Sequence, residues 1–212
     1  MKKDFVYLAS ASPRRSELLR QIGVAFTVRP ADISETQAAG ESADALVLRL
    51  AAEKADAVWR RVPADERRPV LAADTAVVLD ERVLGKPGDE AEAEAMLTAL
   101  SGRTHRVLTA VALRCGDAAE TLLSSSEVRF RATTREERAA YCRSGEPLDK
   151  AGGYGIQGRA AMFVEYLAGS YSGVVGLPLF ETAALLARCG VALWAPARTA
   201  ERSSAHAATG AR

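Results

Sequence analysis

The apolar positions come in short runs separated by polar breaks, and their spacing predicts strands and helices in turn. Phe5 to Ala9 reads as a first strand, followed by a serine loop and an amphipathic helix ending near Gly23. Residues 24–40 read as an irregular connection. Ser42 then caps a long helix to about Arg61, with Leu48, Ala52, Ala55 and Trp59 spaced along one face. "PVLAAD" is a short apolar run ending in Asp74, which sets that acid where a strand leaves its sheet. "TAVVLDERVLGKP" reads as a hairpin turning at Asp80-Glu81, although the turn has neither Gly nor Asn.

Asp89 caps a helix bearing Ala93, Met96, Leu97 and Leu100, which Gly102 stops. Two extended stretches follow, "HRVLTAVALRC" and "SSEVRFRATT", and then Thr134 with Glu137 forms a capping box for a helix to about Ser144. "GEPLDKAGGYGIQGRAA" is a glycine-rich loop, "MFVEYL" a strand, and Pro178 opens a last helix that ends at Gly190. Early alternation of strands and helices, then adjacent strands, predicts an α/β domain with a mixed sheet over residues 1–195. Residues 196–212 lack an apolar period and read as a disordered tail.

Composition narrows the partners. Of 212 residues, 48% are hydrophobic and 26% charged, a balance that supports a sizeable core. The formal charge of +1 argues against broad nucleic-acid binding, which shows as a basic surplus, but leaves room for a local basic pocket. Cys115, Cys142 and Cys189 are far apart with no C-x-x-C, so no disulfide framework is expected and a reduced, cytosolic setting is. His105 and His206 have no cysteine beside them, which disfavours zinc. Asp4, Ser10, Ser12 and Pro13 break the first apolar run, so neither a signal peptide nor a membrane span is expected there.

The candidate chemistry begins in "LASASPRRSELL". Ser12 suits an N-cap and Pro13 the first helical position. Arg14 and Arg15 then stand in the first turn, where a cation opposes the macrodipole by about 0.3–1 kcal/mol. An anion held there resolves the conflict, with backbone N–H groups, two guanidinium forks and the Ser10 and Ser12 hydroxyls all donating to phosphate. The plain alternative is that both arginines face solvent and pair with a surface acid such as Glu17. Asp74 is a partly buried carboxylate in need of a partner or a metal, or else a turn-starting cap, and Thr75 beside it has a hydroxyl for a ligand. Lys86 sits stiffly between Gly85 and Pro87; Lys54 lies on a helix next to Glu53, where a solvated face is the default reading; and Glu35 is either a second acid for metal or water activation or an ordinary surface-loop glutamate. In "LDKAGGYGIQG", glycines 152, 153, 155 and 158 let backbone approach a flat ligand, and the Gln157 amide suits the edge of a base. Tyr154 and Tyr171 either stack on such a ligand or fill core.

Together these segments closely resemble the Maf family of nucleoside triphosphate pyrophosphatases. The residues that carry the resemblance are "LASASPRRSELL", "ISET" followed by "GES", "AAEKA", "AADT", "LGKP", "LSGRTHRVLTAV", "DKAGGYGIQG" and "GSYSGVVGLPLFET". They run in family order from about residue 6 to residue 190. The resemblance implies a mixed α/β fold with a deep cleft, related to the inosine-triphosphate pyrophosphatases. It implies cleavage of a nucleoside triphosphate to the monophosphate and pyrophosphate with a divalent metal, Mg²⁺ or Mn²⁺.

By the same resemblance Asp74 takes the proton of the attacking water, and Ser10, Arg15, Glu35, Lys54 and Lys86 handle phosphate and metal, with Asp74 and Glu35 as metal ligands. Arg14, Thr75 and Gln157 match positions tied to base preference and resemble the subfamily acting on dTTP and UTP. The 7-methyl-GTP subfamily typically has Trp for that first Arg and an acid for the Gln. One departure is Ser34-Glu35, where the family often has Asp-Glu. A nucleotide-binding regulator of cell division and a Maf-type enzyme of different base preference stand as alternatives. Neither a nucleic-acid polymer nor a membrane is expected as partner. The oligomeric state stays open, with a homodimer as one option.

Overall fold

The computed structural model describes residues 3–194. Its centre is a seven-stranded mixed sheet. In chain order the strands are β1 (Val6–Leu8), β2 (Phe26–Val28), β3 (Val70–Leu79), β4 (Arg82–Leu84), β5 (Thr104–Cys115), β6 (Ala118–Phe130) and β7 (Val164–Ala168). The helices are α1 (Pro13–Gln21), α2 (Ala43–Arg61), α3 (Glu90–Leu100), α4 (Arg135–Cys142), α5 (Tyr171–Val175) and α6 (Leu179–Cys189). The sheet runs β2-β1-β3-β5-β6-β7, with β4 also paired to β3. β1 is parallel to β2 and β3, and the remaining pairs are antiparallel.

The capping signals act as the sequence predicts. Ser42 accepts from the Ala45 N–H, Asp89 from the Glu92 N–H, and Thr134 and Glu137 form a reciprocal capping box. The hairpin turns at Asp80-Glu81 between the paired Leu79 and Arg82, with Asp80 taking φ +55° in place of a glycine. Two strand expectations need correction. Residues 24–40 are not wholly irregular, because Phe26–Val28 pairs in parallel with β1. Nor does the strand end at Asp74: β3 continues unbroken to Leu79, and Asp74 sits opposite Ala110 of β5.

What ends near Asp74 is β3's neighbour on the other side. β1 pairs with Val70 and Leu71 before the chain turns into α1, and β4 joins the same edge only from Val77 to Leu79. Between those two pairings one edge of β3 has no strand partner, and a cleft opens there. The alternation of side chains along β3 then sorts its neighbours. Val70, Ala72, Ala76 and Val78 pack with Val47, Ala51, Val58 and Trp59 of α2, so Asp74 has the parity of the α2 face. Leu71 and Ala73 pack on the other face with Leu19 of α1 and Leu185 and Leu186 of α6, so Thr75 points that way.

The cysteines also depart from expectation. Cys115 ends β5, Cys189 ends α6, and the two are joined by a disulfide with Cα atoms 6.3 Å apart, while Cys142 is free and buried. The bonded pair lies 74 residues apart in sequence, and only the packing of α6 on the sheet brings them within bridging distance. Among the described residues no helix is long and apolar enough to cross a membrane. The tail expected at 196–212 lies outside the described residues.

Candidate active site

The cleft has a volume of about 790 Å³ and is lined by all nine predicted site residues: Ser10, Arg14, Arg15, Glu35, Lys54, Asp74, Thr75, Lys86 and Gln157. They arrive from the β1–α1 loop, α1, the β2–α2 connection, α2, β3, the segment after β4, and the glycine-rich loop. The topology therefore unites residues spread over about 150 positions.

Helix α1 enters the cleft unusually. Ser12 occupies the N-cap position and Pro13 the first turn, but the Ser12 side chain caps nothing and no acid stands in that turn. The Ser12 N–H instead donates to Ser10 Oγ at 3.2 Å. Neither a side-chain cap nor a first-turn acid therefore offsets the positive end of this helix. Arg14 reaches Asp149 at 3.4 Å and stays partly exposed. Arg15 turns inward, contrary to the solvent-facing alternative. Its Nε donates to the Gly176 carbonyl at 2.7 Å, Nη1 to Ser10 Oγ at 3.1 Å, and Nη2 to Thr75 Oγ1 at 3.2 Å. Burial pushes its pKa down and the Asp74 charge opposes that.

Asp74 and Glu35 converge on one ammonium. Lys54 Nζ lies 2.6 Å from Asp74 Oδ1 and 2.5 Å from Glu35 Oε1, and Lys86 Nζ is 3.9 Å from Glu35 Oε2. Lys54 is only 7% exposed and Asp74 8%, whereas Lys86 is largely open to solvent. The solvated-face alternative for Lys54 is therefore wrong: its helix turns it into the cleft. Burial drives the Asp74 pKa above the ordinary aspartate value, with the charge and hydrogen bond of Lys54 and the charge of Arg15 restraining the rise. Partial desolvation also acts upward on Glu35, but the Lys54 hydrogen bond and charge, helped by Lys86 and Arg15, outweigh it and hold this acid low. The two carboxylates are thereby driven in opposite directions, Asp74 up and Glu35 down.

The opposite wall is the glycine-rich loop. Gly152 has φ +68°, and a Cβ there would lie 2.9 Å from the Val77 side chain, so only glycine fits. Its N–H donates to the Gly85 carbonyl at 2.9 Å, which ties the loop to the segment presenting Lys86. Gln157 lines the cleft from this loop and is exposed. Tyr154 fills core: its hydroxyl is 2.7 Å from His105 Nε2 and its ring packs edge-on to Phe130. Tyr171 is half exposed.

Sequence reasoning passed over Asp149 and Lys150, which line the cleft and pair with each other at 2.6 Å. It also passed over Thr109, which bonds Thr75. The first two stand in the quoted "LDKAGG" beside the glycines, where their charge was the available signal. Thr109 carries no local signal, because a threonine inside a strand is ordinary.

Comparison with known proteins now decides the lineage. A family model described as Maf-like protein matches residues 5–189. The chain belongs to the Maf family. A Maf relative from Myxococcus xanthus, named dTTP/UTP pyrophosphatase, is 57% identical over 191 residues, covering 90% of this chain and 95% of that protein. A relative of the same name from Methylobacillus flagellatus is 54% identical over 188 residues, covering 89% and 94%. The solved Staphylococcus aureus Ham1 protein aligns with 59% of this chain and 71% of that one at 12% identity and TM-score 0.34, a likeness too distant to bear on the site.

Proposed function

We propose that this Maf protein hydrolyses dTTP and UTP to the monophosphate and pyrophosphate. The observation that carries the reading is the uncapped, acid-free start of α1 with Arg14 and Arg15, set in one cleft with Lys54, Lys86 and a buried Asp74. Four cationic side chains and a helix N-terminus suit a triphosphate. The relatives named dTTP/UTP pyrophosphatase support the same substrate class.

In this reading the triphosphate lies along α1 and the lysines, with its α-phosphorus toward Asp74. Asp74 accepts a proton from a water whose oxygen bonds to the α-phosphorus. The bond from that phosphorus to the α,β-bridging oxygen breaks, and the electron pair leaves with pyrophosphate. Lys54 restrains the upward push of burial on Asp74 and fixes the direction of its carboxylate. Lys86 and the arginines offset the charge on the leaving phosphates.

The donor set fits a divalent metal of the hard kind. Asp74 and Glu35 offer two carboxylates, while among the described residues no cluster of three or more His, Cys, Asp or Glu is placed to hold an ion alone. Mg²⁺ and Mn²⁺ accept one or two carboxylates when substrate phosphates complete the shell. The chemistry such an ion supplies when bound is neutralisation of phosphate charge. We place the enzyme in the cytoplasm, with its nucleotide substrates. The test is a nucleoside triphosphate panel, including 7-methyl-GTP, with Mg²⁺ and with Mn²⁺. The expected products from dTTP and UTP are monophosphate and pyrophosphate. Turnover of 7-methyl-GTP with dTTP and UTP untouched, or nucleotide binding with no turnover, overturns the reading.

A further inference from the structure

Thr109 is fully buried on β5, directly opposite Thr75 of β3, and touches the cleft only through other residues. Its Oγ1 lies 2.7 Å from the Gly173 carbonyl and 3.0 Å from Thr75 Oγ1. A carbonyl only accepts, so the single Thr109 proton goes to Gly173. Thr75 must then donate its own proton to Thr109, and its oxygen accepts from Arg15 Nη2. All three bonds acquire one direction: Arg15 to Thr75, Thr75 to Thr109, Thr109 to the Gly173 carbonyl.

Gly173 belongs to α5, and Gly176, which follows it, accepts from Arg15 Nε at 2.7 Å. The guanidinium is therefore held to α5 along two routes, one direct and one through both threonines. Three of its five N–H groups are used, at Nε, Nη1 and Nη2. One N–H on each terminal nitrogen remains, the number a bidentate phosphate contact takes.

We propose that Thr109 is a positioning residue for the phosphate site: by fixing the proton direction through Thr75 it orients the Arg15 guanidinium, leaving two N–H groups for a triphosphate. The proposal rests on the functional reading above. Thr109→Val keeps the shape and removes the hydroxyl, and Thr109→Ser restores it. Two readouts apply: the dissociation constant of inorganic tripolyphosphate by calorimetry, and KM against kcat for dTTP.

The valine variant is expected to weaken tripolyphosphate binding and raise KM by about tenfold, with kcat within about threefold and serine within about twofold of wild type. Thr109→Ala removes the same hydroxyl with less bulk and serves where valine does not fold, with the same expected rise. Combined with Thr75→Val, the Thr109 change is expected to add nothing further, since the two act in series. Unchanged binding in the valine or alanine variant, equal losses for valine and serine, or additive losses in the double variant overturn the proposal. A wild-type protein that binds tripolyphosphate but leaves dTTP and UTP intact sinks the functional reading, and the binding arm still decides Thr109. A wild-type protein that turns over dTTP without binding tripolyphosphate overturns the proposal alone.

Discussion

Two walls line the cleft, and they are built by different means. The sheet wall carries Asp74 on β3 and Lys54 on α2, both buried and paired with each other, and a half-buried Arg15 on α1 with three hydrogen-bond acceptors. The loop wall carries Asp149 and Gln157, both exposed, and Asp149 reaches across at 3.4 Å to the partly exposed Arg14 of α1. Charge on the sheet wall sits in low dielectric, where it is strong and costly. Charge on the loop wall is solvated and weak. On the proposed function, reaction chemistry belongs on the first and discrimination on the second, because a buried carboxylate can be tuned while an exposed amide can be exchanged without disturbing the fold.

Asp74→Asn breaks the sheet wall most directly. Turnover of every nucleotide is expected to fall at least about a hundredfold, the scale for losing a general base. Steady-state kinetics on dTTP and UTP check it, and near-normal rates would remove Asp74 from that role. Lys54→Met comes next. It strips two carboxylates of their shared cation, a loss of about 3 kcal/mol for a buried pair, read by denaturant unfolding. It also moves the acid limb of activity. Asp74 must be ionised to accept a proton, its pKa is already raised by burial, and Lys54 restrains the rise. Removing that cation shifts the limb to higher pH, and an unmoved limb in the pH profile contradicts the assignment.

The loop wall responds on a smaller scale. Gln157→Glu is expected to change the ratio of kcat/KM between nucleotides by about tenfold, the effect of one exchanged hydrogen bond, with a lesser change in overall rate. Asp149→Asn removes an exposed partner of Arg14 and is expected to cost less than about 1 kcal/mol. A thermal melt shifted by more than a few degrees would show that this wall is more rigid than its exposure suggests.

The helix signals were legible because caps are local: Ser42, Asp89 and Thr134 each bond a backbone N–H three residues on. The nine cleft residues were legible through the motifs that hold them, and all nine share one cavity. What the chain hid is long-range. Asp74 looked like a strand end because the apolar run stops at it, yet β5 pairs with β3 from Val70 to Val78 and only the opposite edge is interrupted. The solvent-facing alternative for Arg15 stood open in the sequence, and it closes only because Gly176, 161 residues away, supplies an acceptor. The Cys115–Cys189 bridge and the weak three-residue β2 likewise depend on partners that no local pattern names.

His105 shows why burial alone does not mark a site. Like Asp74 it is buried on a central strand, but its neighbours are Phe130 and Tyr154, and burial pushes it down to about 4. It is therefore neutral at physiological pH and meets no charge across a cleft. Asp74 differs in its company, two cations and a second acid at an open sheet edge.

The division of labour between the walls is tested most directly by kcat/KM for dTTP, UTP and a purine nucleoside triphosphate, measured on wild type, Asp74→Asn and Gln157→Glu. The expected result is a uniform collapse for Asp74→Asn with the nucleotide ratios intact, and altered ratios for Gln157→Glu with turnover largely preserved. Ratios that move with Asp74, or a uniform loss with Gln157, would contradict it.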